Sequence, residues 1–323
     1  MDQLTRNQKT IKSIAQLLLA LKPGDRIPPI QAINKQIKVG VGTVQKAMAI
    51  LADLNAVVIN ARGHLGSFVD VLDYAQLWNL AGHGPVKLVL PNADAVEFKG
   101  LSEGINLDFE ERGVRARIDH NRGARFRLDS VEAGRHDACI VSHLAFEQTS
   151  APSQLDALVL DKVDYYQPDS VVVLTHKSRS RGPLRIGYDP SSLDHYLLTQ
   201  SEFPEDKVGQ IAVPCPYGHL LSALLAGAID CCIWHRVDIG VSFALLPIVA
   251  RPVERQETLS LLKRCEIACC VFRKDRLDVR NLLGLVDARA IRASQIAALD
   301  ESVADRKILS SFIESLTADN RKN

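Results

Sequence analysis

No glutamate occurs in the first 72 residues of this 323-residue chain, and the four aspartates there face nine lysines and arginines. Residues 73–323 hold the remaining 30 basic and 34 acidic residues. The net charge of +1 therefore hides a basic leading unit joined to a mildly acidic body, and such an asymmetry points the first unit at a polyanion. Nothing in the first ten residues has the charged-then-apolar build of a signal peptide, and the apolar run at residues 17–21 is too short to span a bilayer. A cytoplasmic protein with no membrane partner is expected. None of the seven cysteines forms a C-x-x-C pair or a Cys/His cluster with zinc spacing, so no metal site is expected. Runs such as "AIDCCIW" and "EIACCVF" read as buried thiols acting as small hydrophobes. The chain also lacks G-x-S-x-G, a P-loop, G-x-G-x-x-G and H-E-x-x-H, internal repeats and heptads. No catalytic residue and no cofactor are assigned.

The length allows two domains, since single cores stop growing near ~250–300 residues. Ile11, Ile14, Leu17, Leu18 and Leu21 recur at helical spacing up to Pro23-Gly24, a strong turn signal. After "DRIPP" a short second helix places Ile30, Ile33 and Ile37 on one face, with Pro29 suited to its first turn. Gly40 and Gly42 interrupt the pattern before a third helix carrying Val44, Ala47, Met48, Leu51 and Leu54. "AVVIN", a glycine-bracketed loop and "SFVDV" complete residues 1–72 as three helices and a two-stranded ribbon, the order of a winged helix-turn-helix.

Residues 73–85 show little periodicity and read as a linker. From residue 86 strand-like runs at 86–90, 138–142, 170–176, 184–188, 209–213, 230–234 and 267–272 alternate with helical stretches. This texture predicts an α/β body, residues 86–303, with mostly parallel sheets. Residues 304–323 read as a final amphipathic helix and a solvated tail.

Residues 20–70 resemble the winged-helix domain of GntR-type transcription regulators, within them the YhfZ-type group. The shared marks are "PGDRIP", the "GTVQKAM" opening of the recognition helix, and the "G-x-x-G-S-F-V" wing with its "GHLG" loop. The resemblance implies a double-stranded DNA operator as partner and a homodimer, because one such module reads too few bases. In physical terms, Gly42, Thr43, Gln45 and Lys46 form the small or polar exposed turn that a major groove ~12 Å wide admits. Gln45 suits an adenine edge and Lys46 a phosphate. Arg26 resembles the backbone-contacting arginine of the family. Arg62 and His64, held out by Gly63 and Gly66, read as the wing tip rather than a plain surface hairpin. The chain departs from the family at Val41 and Gln45, where arginine is usual at the first and frequent at the second. Fewer cationic contacts weaken the salt-dependent part of binding.

The strand order of the body and the phrase "LLAGAIDCCIW" resemble a two-lobed type II periplasmic-binding-protein fold. That implies a small-molecule effector held between lobes. In open α/β sheets ligands sit beyond the carboxyl ends of strands, which singles out Asn92 and Asp94 after one strand and Asp189, Ser191, Ser192 and Asp194 after another. The second cluster reads equally well as a helix cap, since Ser and Asp accept bonds from orphan N–H groups. Ser142, Tyr217 and Trp234 fall at other strand ends, with core packing the plainer role for Trp234. The "HNRGARFR" run at 120–127 reads as a solvated loop, or less readily as a lure for an anion. Two functions follow: a ligand-responsive transcription regulator sensing a small polar metabolite, or an enzyme on a binding-protein-like fold with an accessory DNA-binding module.

Overall fold

The computed structural model describes residues 5–93, 95–149, 154–178, 182–204, 209–236 and 246–319, with the helical backbone alone over 304–319. Helix α1 (Arg6–Leu19) starts from a capping box. Thr5 Oγ1 accepts from the Gln8 N–H at 3.3 Å and Gln8 Oε1 accepts from the Thr5 N–H at 2.7 Å, which satisfies two orphan donors at once. Helices α2 (Ile30–Ile37) and α3 (Val41–Asp53) pack on it through Ile14, Leu18, Ile33, Val44, Ala47 and Leu51, all buried. Strands β1 (Val57–Ala61) and β2 (Ser67–Leu72) pair antiparallel to form the wing. The winged helix-turn-helix read from the sequence is the observed N-terminal unit.

The segment expected as a linker is largely helix. α4 (Tyr74–Leu80) is capped by Asp73, which accepts from the Gln76 N–H. It buries Ala75, Leu77 and Trp78, and the Trp78 indole donates to Gly84 O at 2.9 Å. Seven residues span two turns, too few to show a helical period, and Gly82 and Gly84 follow at once, which is why the sequence hides this helix.

The body has two lobes. Lobe one holds β3 (Val86–Leu90), β4 (Ala116–His120), β5 (Ala138–Ser142), β6 (Leu155–Asp164) and β12 (Ile267–Arg273) in the order β4-β3-β5-β12-β6. Lobe two holds β7 (Val171–His176), β8 (Leu184–Tyr188), β9 (Gln210–Pro214), β10 (Cys231–His235) and β11 (Ile248–Pro252) in the order β11-β7-β10-β8-β9. Both sheets are mixed, which corrects the expectation of mostly parallel ones. β4-β3-β5 and β10-β8-β9 run parallel, whereas β12 lies antiparallel to β5 and β6, and β7 antiparallel to β10 and β11. The reversals fall where the chain crosses between lobes, after β6 and before β12. A strand that enters a lobe from its neighbour need not follow a crossover helix. Strands β4, β6 and β11 are absent from the sequence reading because little of them is buried: β4 has no buried residue, β11 buries only Ile248, and exposed Asp161 and Lys162 interrupt β6. All seven cysteines are free and buried.

The N-terminal unit is fused to lobe one. A continuous apolar core runs from Ile14, Leu18 and Leu51 through Trp78 to Leu88, Phe109 and Leu282. At its seam, Asn281 of α11 (Leu277–Leu283) donates to Leu19 O at 2.8 Å and Leu21 O at 3.2 Å. The Tyr74 hydroxyl donates to Leu21 O at 2.8 Å. These bonds satisfy carbonyls that the end of α1 leaves unpaired.

The C-terminal helix α12 begins at Ala288, earlier than the sequence suggests, and extends to Asp319. It lies against α5 (Val96–Glu111) at two glycines. A Cβ at Gly100 would sit 2.6 Å from Gln295 Cα, and one at Gly104 2.8 Å from Ile291 Cα. Gln295, fully buried, donates to Asp164 O at 2.7 Å and to Glu97 O at 3.3 Å, tying the crossing to β6. Gly100→Ala should force the helices apart and cost about 1–3 kcal/mol, the usual range for overpacking. Urea denaturation checks this as a lower midpoint at unchanged slope, and an unchanged midpoint contradicts so tight a crossing.

Candidate effector cleft and nucleic-acid interface

The lobes face each other across a cleft of about 780 Å³, open solvent at its mouth included. It opens beyond the carboxyl ends of β3 and β10, where α/β sheets present helix starts to ligands. Of the residues expected from sequence, Asn92, Ser192, Asp194, Tyr217 and Trp234 line it. Asp94 lies outside the described residues. Ser142, Asp189 and Ser191 stand behind the lining and hold it in place.

Asp189 is a scaffold. Its Oδ1 accepts from the Ser191 N–H at 2.8 Å and the Ser191 hydroxyl at 2.7 Å, and its Oδ2 accepts from the Tyr217 N–H at 2.9 Å. Burial works to raise its pKa, but these three bonds to the carboxylate outweigh it and hold the group low. The capping role weighed for this segment thus falls to Asp189, which caps its own turn and the first residue of α9 (Tyr217–Leu225). Ser192, the N-cap residue of α8 (Leu193–Glu202), makes no side-chain cap bond. His195 is held by backbone at both nitrogens: Nδ1 accepts from the Asp189 N–H at 3.0 Å and Nε2 lies 3.0 Å from Ile233 O. Burial lowers its pKa, which keeps the ring neutral and fits a Nε2–H tautomer.

Among the described residues, two of the polar contacts between the lobes are buried. Ser142 Oγ at the end of β5 donates to Asp194 Oδ1 at 2.7 Å while accepting from the Ala145 N–H at 3.0 Å. His235 at the end of β10 meets Glu97 of α5, with Nε2 and Oε1 2.6 Å apart and both side chains buried. Between them the walls are aromatic. Tyr217 stacks on Trp234 with centroids 4.7 Å apart and an 8° interplanar angle. A chain of rings, Phe98, Tyr165, Tyr166 and His235, continues at 5.0 Å per step. Trp234 is therefore both packed and part of the wall.

The sequence reading missed Arg127. The 120–127 run is not wholly a loop: α6 (Ala124–Glu132) begins in it and turns Arg127 inward until 1% is exposed. Its guanidinium donates to Ile140 O at 2.9 Å, Asn121 O at 2.7 Å and the Tyr165 hydroxyl at 2.7 Å. Ala124, Leu128 and Val131, buried at helical spacing around it, were the available signal. Arg122 stays half-buried at the cleft mouth and reaches over the Tyr217 ring of the other lobe, 5.4 Å from its centroid.

On the N-terminal unit, Gly42, Gln45 and Lys46 are exposed on the first turns of α3 and Thr43 is half-buried. The N-cap is Gly40 and the first turn holds no acid, so the helix start is left open to a phosphate. The wing tip is a 3-10 turn, Gly63–Leu65. Gly63 and Gly66 have φ of +56° and +96°, values that favour glycine. Arg62 folds back over Phe68 at 4.6 Å, and Arg26 bridges to Phe68 with its guanidinium against Gly66. Arg26, Arg62, Gly63 and His64 are all exposed. Val41, 41% exposed in the first turn of α3, adds an apolar group suited to a thymine methyl.

Burial pushes the Asp194 carboxyl up to about 6, against the pull of Ser142, Arg127 and the Cys265 thiol. A pKa raised on folding contributes stability below the unfolded value, and that contribution is lost as pH rises through the folded one. Wild type should therefore lose roughly 3 kcal/mol relative to Asp194→Asn between about pH 4 and pH 7. Asn keeps the acceptor for Ser142. Urea midpoints against pH check this, and parallel curves for the two proteins contradict it.

Compared with known proteins, residues 73–308 match the family of the YhfZ C-terminal domain, and residues 22–69 match a helix-turn-helix domain. The protein YhfZ of Escherichia coli K12 is 26% identical over 286 residues, which cover 88% of this chain and 92% of that protein. The crystal structure of YhfZ from Shigella flexneri superposes with a TM-score of 0.56 at 23% identity, covering 71% of this chain and 96% of that one. A periplasmic substrate-binding protein of an ABC transporter from Coxiella burnetii matches at a TM-score of 0.45 and 12% identity, over 67% of this chain and 98% of that one. Two mixed five-stranded lobes that face each other across the cleft, behind the winged helix-turn-helix, make the fold an N-terminal helix-turn-helix with a periplasmic-binding-protein-like body. Together with the family matches, it supports a DNA-binding transcription regulator. The chain belongs to the family of the YhfZ C-terminal domain, with a helix-turn-helix domain ahead of it.

Proposed function

We propose that this protein is a ligand-responsive transcription regulator of the cytoplasm, a homodimer whose GntR-type winged helix binds operator DNA and whose cleft senses a small metabolite. The observation that carries the reading is the sharing of one apolar core between the DNA-binding unit and a lobe that lines an aromatic cleft. Dimerisation supplies the second half-site that a single recognition helix cannot read. The motifs "PGDRIP" and "GTVQKAM" support the GntR-type assignment. The engagement of both His195 nitrogens supports binding rather than catalysis at the Ser192, Asp194 and His195 cluster.

In this reading Lys46 and Arg62 contact phosphates and Gln45 reads a base edge. Lys46→Ala and Arg62→Ala should weaken binding evenly on all duplexes, each lowering the slope of log affinity against log salt by about 1. Gln45→Ala should cost about 1–3 kcal/mol on the best site and relax preference at a single position. Fluorescence anisotropy on duplexes selected from a random pool, across a salt series, checks both. An unchanged rank order of sites for Gln45→Ala, or an unchanged slope for the two charge variants, removes these assignments.

A further inference from the structure

The outer strands of the two sheets are not alike. β4 carries Arg117 and Asp119, β6 carries Asp156, Asp161, Lys162 and Asp164, and β11 carries Arg251. Charges on an edge strand blunt it against pairing with another chain. β9, the remaining edge, carries none. It lies in residues 208–229, the longest run of the sequence without Asp, Glu, Lys or Arg, in a chain that is 24% charged. Depletion of charge is the compositional mark of an interface core. In lobe two α9 lies mainly over β7, β8 and β10, and α8 over β8 and β10. Ile211, Ala212 and Pro214 of β9 stay exposed, Ile211 by 48%.

The backbone of β9 suits one kind of partner. Gly209 O accepts from the Leu184 N–H at 2.7 Å, and the Cys215 N–H donates to Tyr188 O at 2.8 Å. Strand alternation therefore turns the backbone of Ile211 and Val213 towards β8 and that of Gln210, Ala212 and Pro214 outward. No strand among the described residues pairs with that outer side. A second β9 laid antiparallel about Ala212 fits the pattern. The two Ala212 residues exchange both backbone bonds, and each Gln210 N–H reaches Pro214 O of the other strand. Pro214 has no N–H, which costs only the outermost bond at each end of the ladder. Val213 packs against the core under α9, and on that same face Ile211 of one strand meets Val213 of the other.

We propose that β9 is the dimerisation strand: two copies of this chain pair β9 antiparallel about Ala212 and join their five-stranded lobe-two sheets into one. Such a pairing is isologous, so a charge near the two-fold axis would meet its own like, and a strand without charges is what it requires. This surface rests on the homodimer of the reading above. Each reading head shares a core with lobe one and so lies across the cleft from the paired strands. A shift between the lobes then changes the distance between the two heads, which is the quantity that half-site spacing on DNA selects.

The test measures the mass of the full chain in solution by sedimentation equilibrium over a concentration series. The native chain is expected to be a dimer. Ala212→Asp and Ala212→Lys each set like charges opposite one another at the axis and should raise the dimer dissociation constant about a hundredfold. Each variant alone should then be a monomer with an unchanged circular dichroism spectrum, since Ala212 is exposed. Mixed in equal amounts, the two should recover a dimer holding one chain of each, because only Ala212 facing Ala212 brings the opposite charges together. A second measurement needs no charge. Ala212→Cys should cross-link into a dimer under mild oxidation, since opposed residues of a bonded antiparallel pair lie about 5.5 Å apart, within disulfide reach, and the seven native thiols are buried. Dimers that persist in both charge variants overturn the surface and leave the homodimer reading standing. Monomers that stay monomers when mixed, or a native dimer whose Ala212→Cys form does not cross-link, overturn the pairing about Ala212. A native chain that is monomeric at every concentration removes the homodimer reading and this surface with it.

Discussion

The structure depends on a seam between the first helix and the first lobe. Where α1 ends, its last carbonyls have no partner within the helix. Asn281 and Tyr74, one from the far end of the body and one from the connecting helix, supply the missing donors. Around those bonds the apolar faces of α1, α4 and α11 merge into a single core with the sheet of lobe one. An N-terminal unit of three helices and a hairpin is small for an independent core. Here it borrows one, and Trp78, buried in the connection itself, is the largest side chain in the joint.

That seam constrains how a cleft can influence DNA. A reading head that shares a core with lobe one travels with lobe one, because packed interiors shift as units rather than deform smoothly. Lobe two is joined by two chain crossings and by polar contacts across the cleft. Ser142 to Asp194 and His235 to Glu97 are buried, and losing one partner of such a contact leaves the other unsatisfied at a cost of a few kcal/mol. In the proposed reading a ligand acts by adding to these contacts, and the signal is the placement of lobe two relative to the DNA-binding unit and to a second subunit.

Much of this was legible in the sequence wherever one physical cause dominated a stretch. Helical periodicity marked α1 and α3, and glycines at positive φ marked the wing. Continuous apolar runs marked the strands buried on both faces. What was hidden needed a partner distant in the chain. Strands β4, β6 and β11 are largely exposed or half-buried and carry no continuous apolar run of their own, and α4 is too short to show a period. Arg127 looks like a solvated cation until α6 turns it under the cleft to meet carbonyls from Asn121 and Ile140. Likewise, the Ser191-Ser192-Leu193-Asp194 stretch divides its roles in a way no local rule reveals. Asp189 and Ser191 build the turn, Ser192 is left open, and Asp194 is claimed by a serine fifty-two residues away.

The joining of the DNA-binding unit to lobe one, with lobe two as the part that moves in the proposed reading, is tested most directly by distances between spin labels. Cysteines placed at exposed Ala52 of α3, Glu110 of α5 and Ser222 of α9 would be labelled in pairs, the seven native thiols being buried. The comparison is between the otherwise native chain and one carrying Ser142→Ala with Glu97→Ala, which removes these two buried interlobe contacts. The account predicts that the Ala52 to Glu110 distance stays the same and sharp, while the Ala52 to Ser222 distance lengthens or broadens. A changed Ala52 to Glu110 distance would contradict it, because the reading head would then move independently of the lobe whose core it shares.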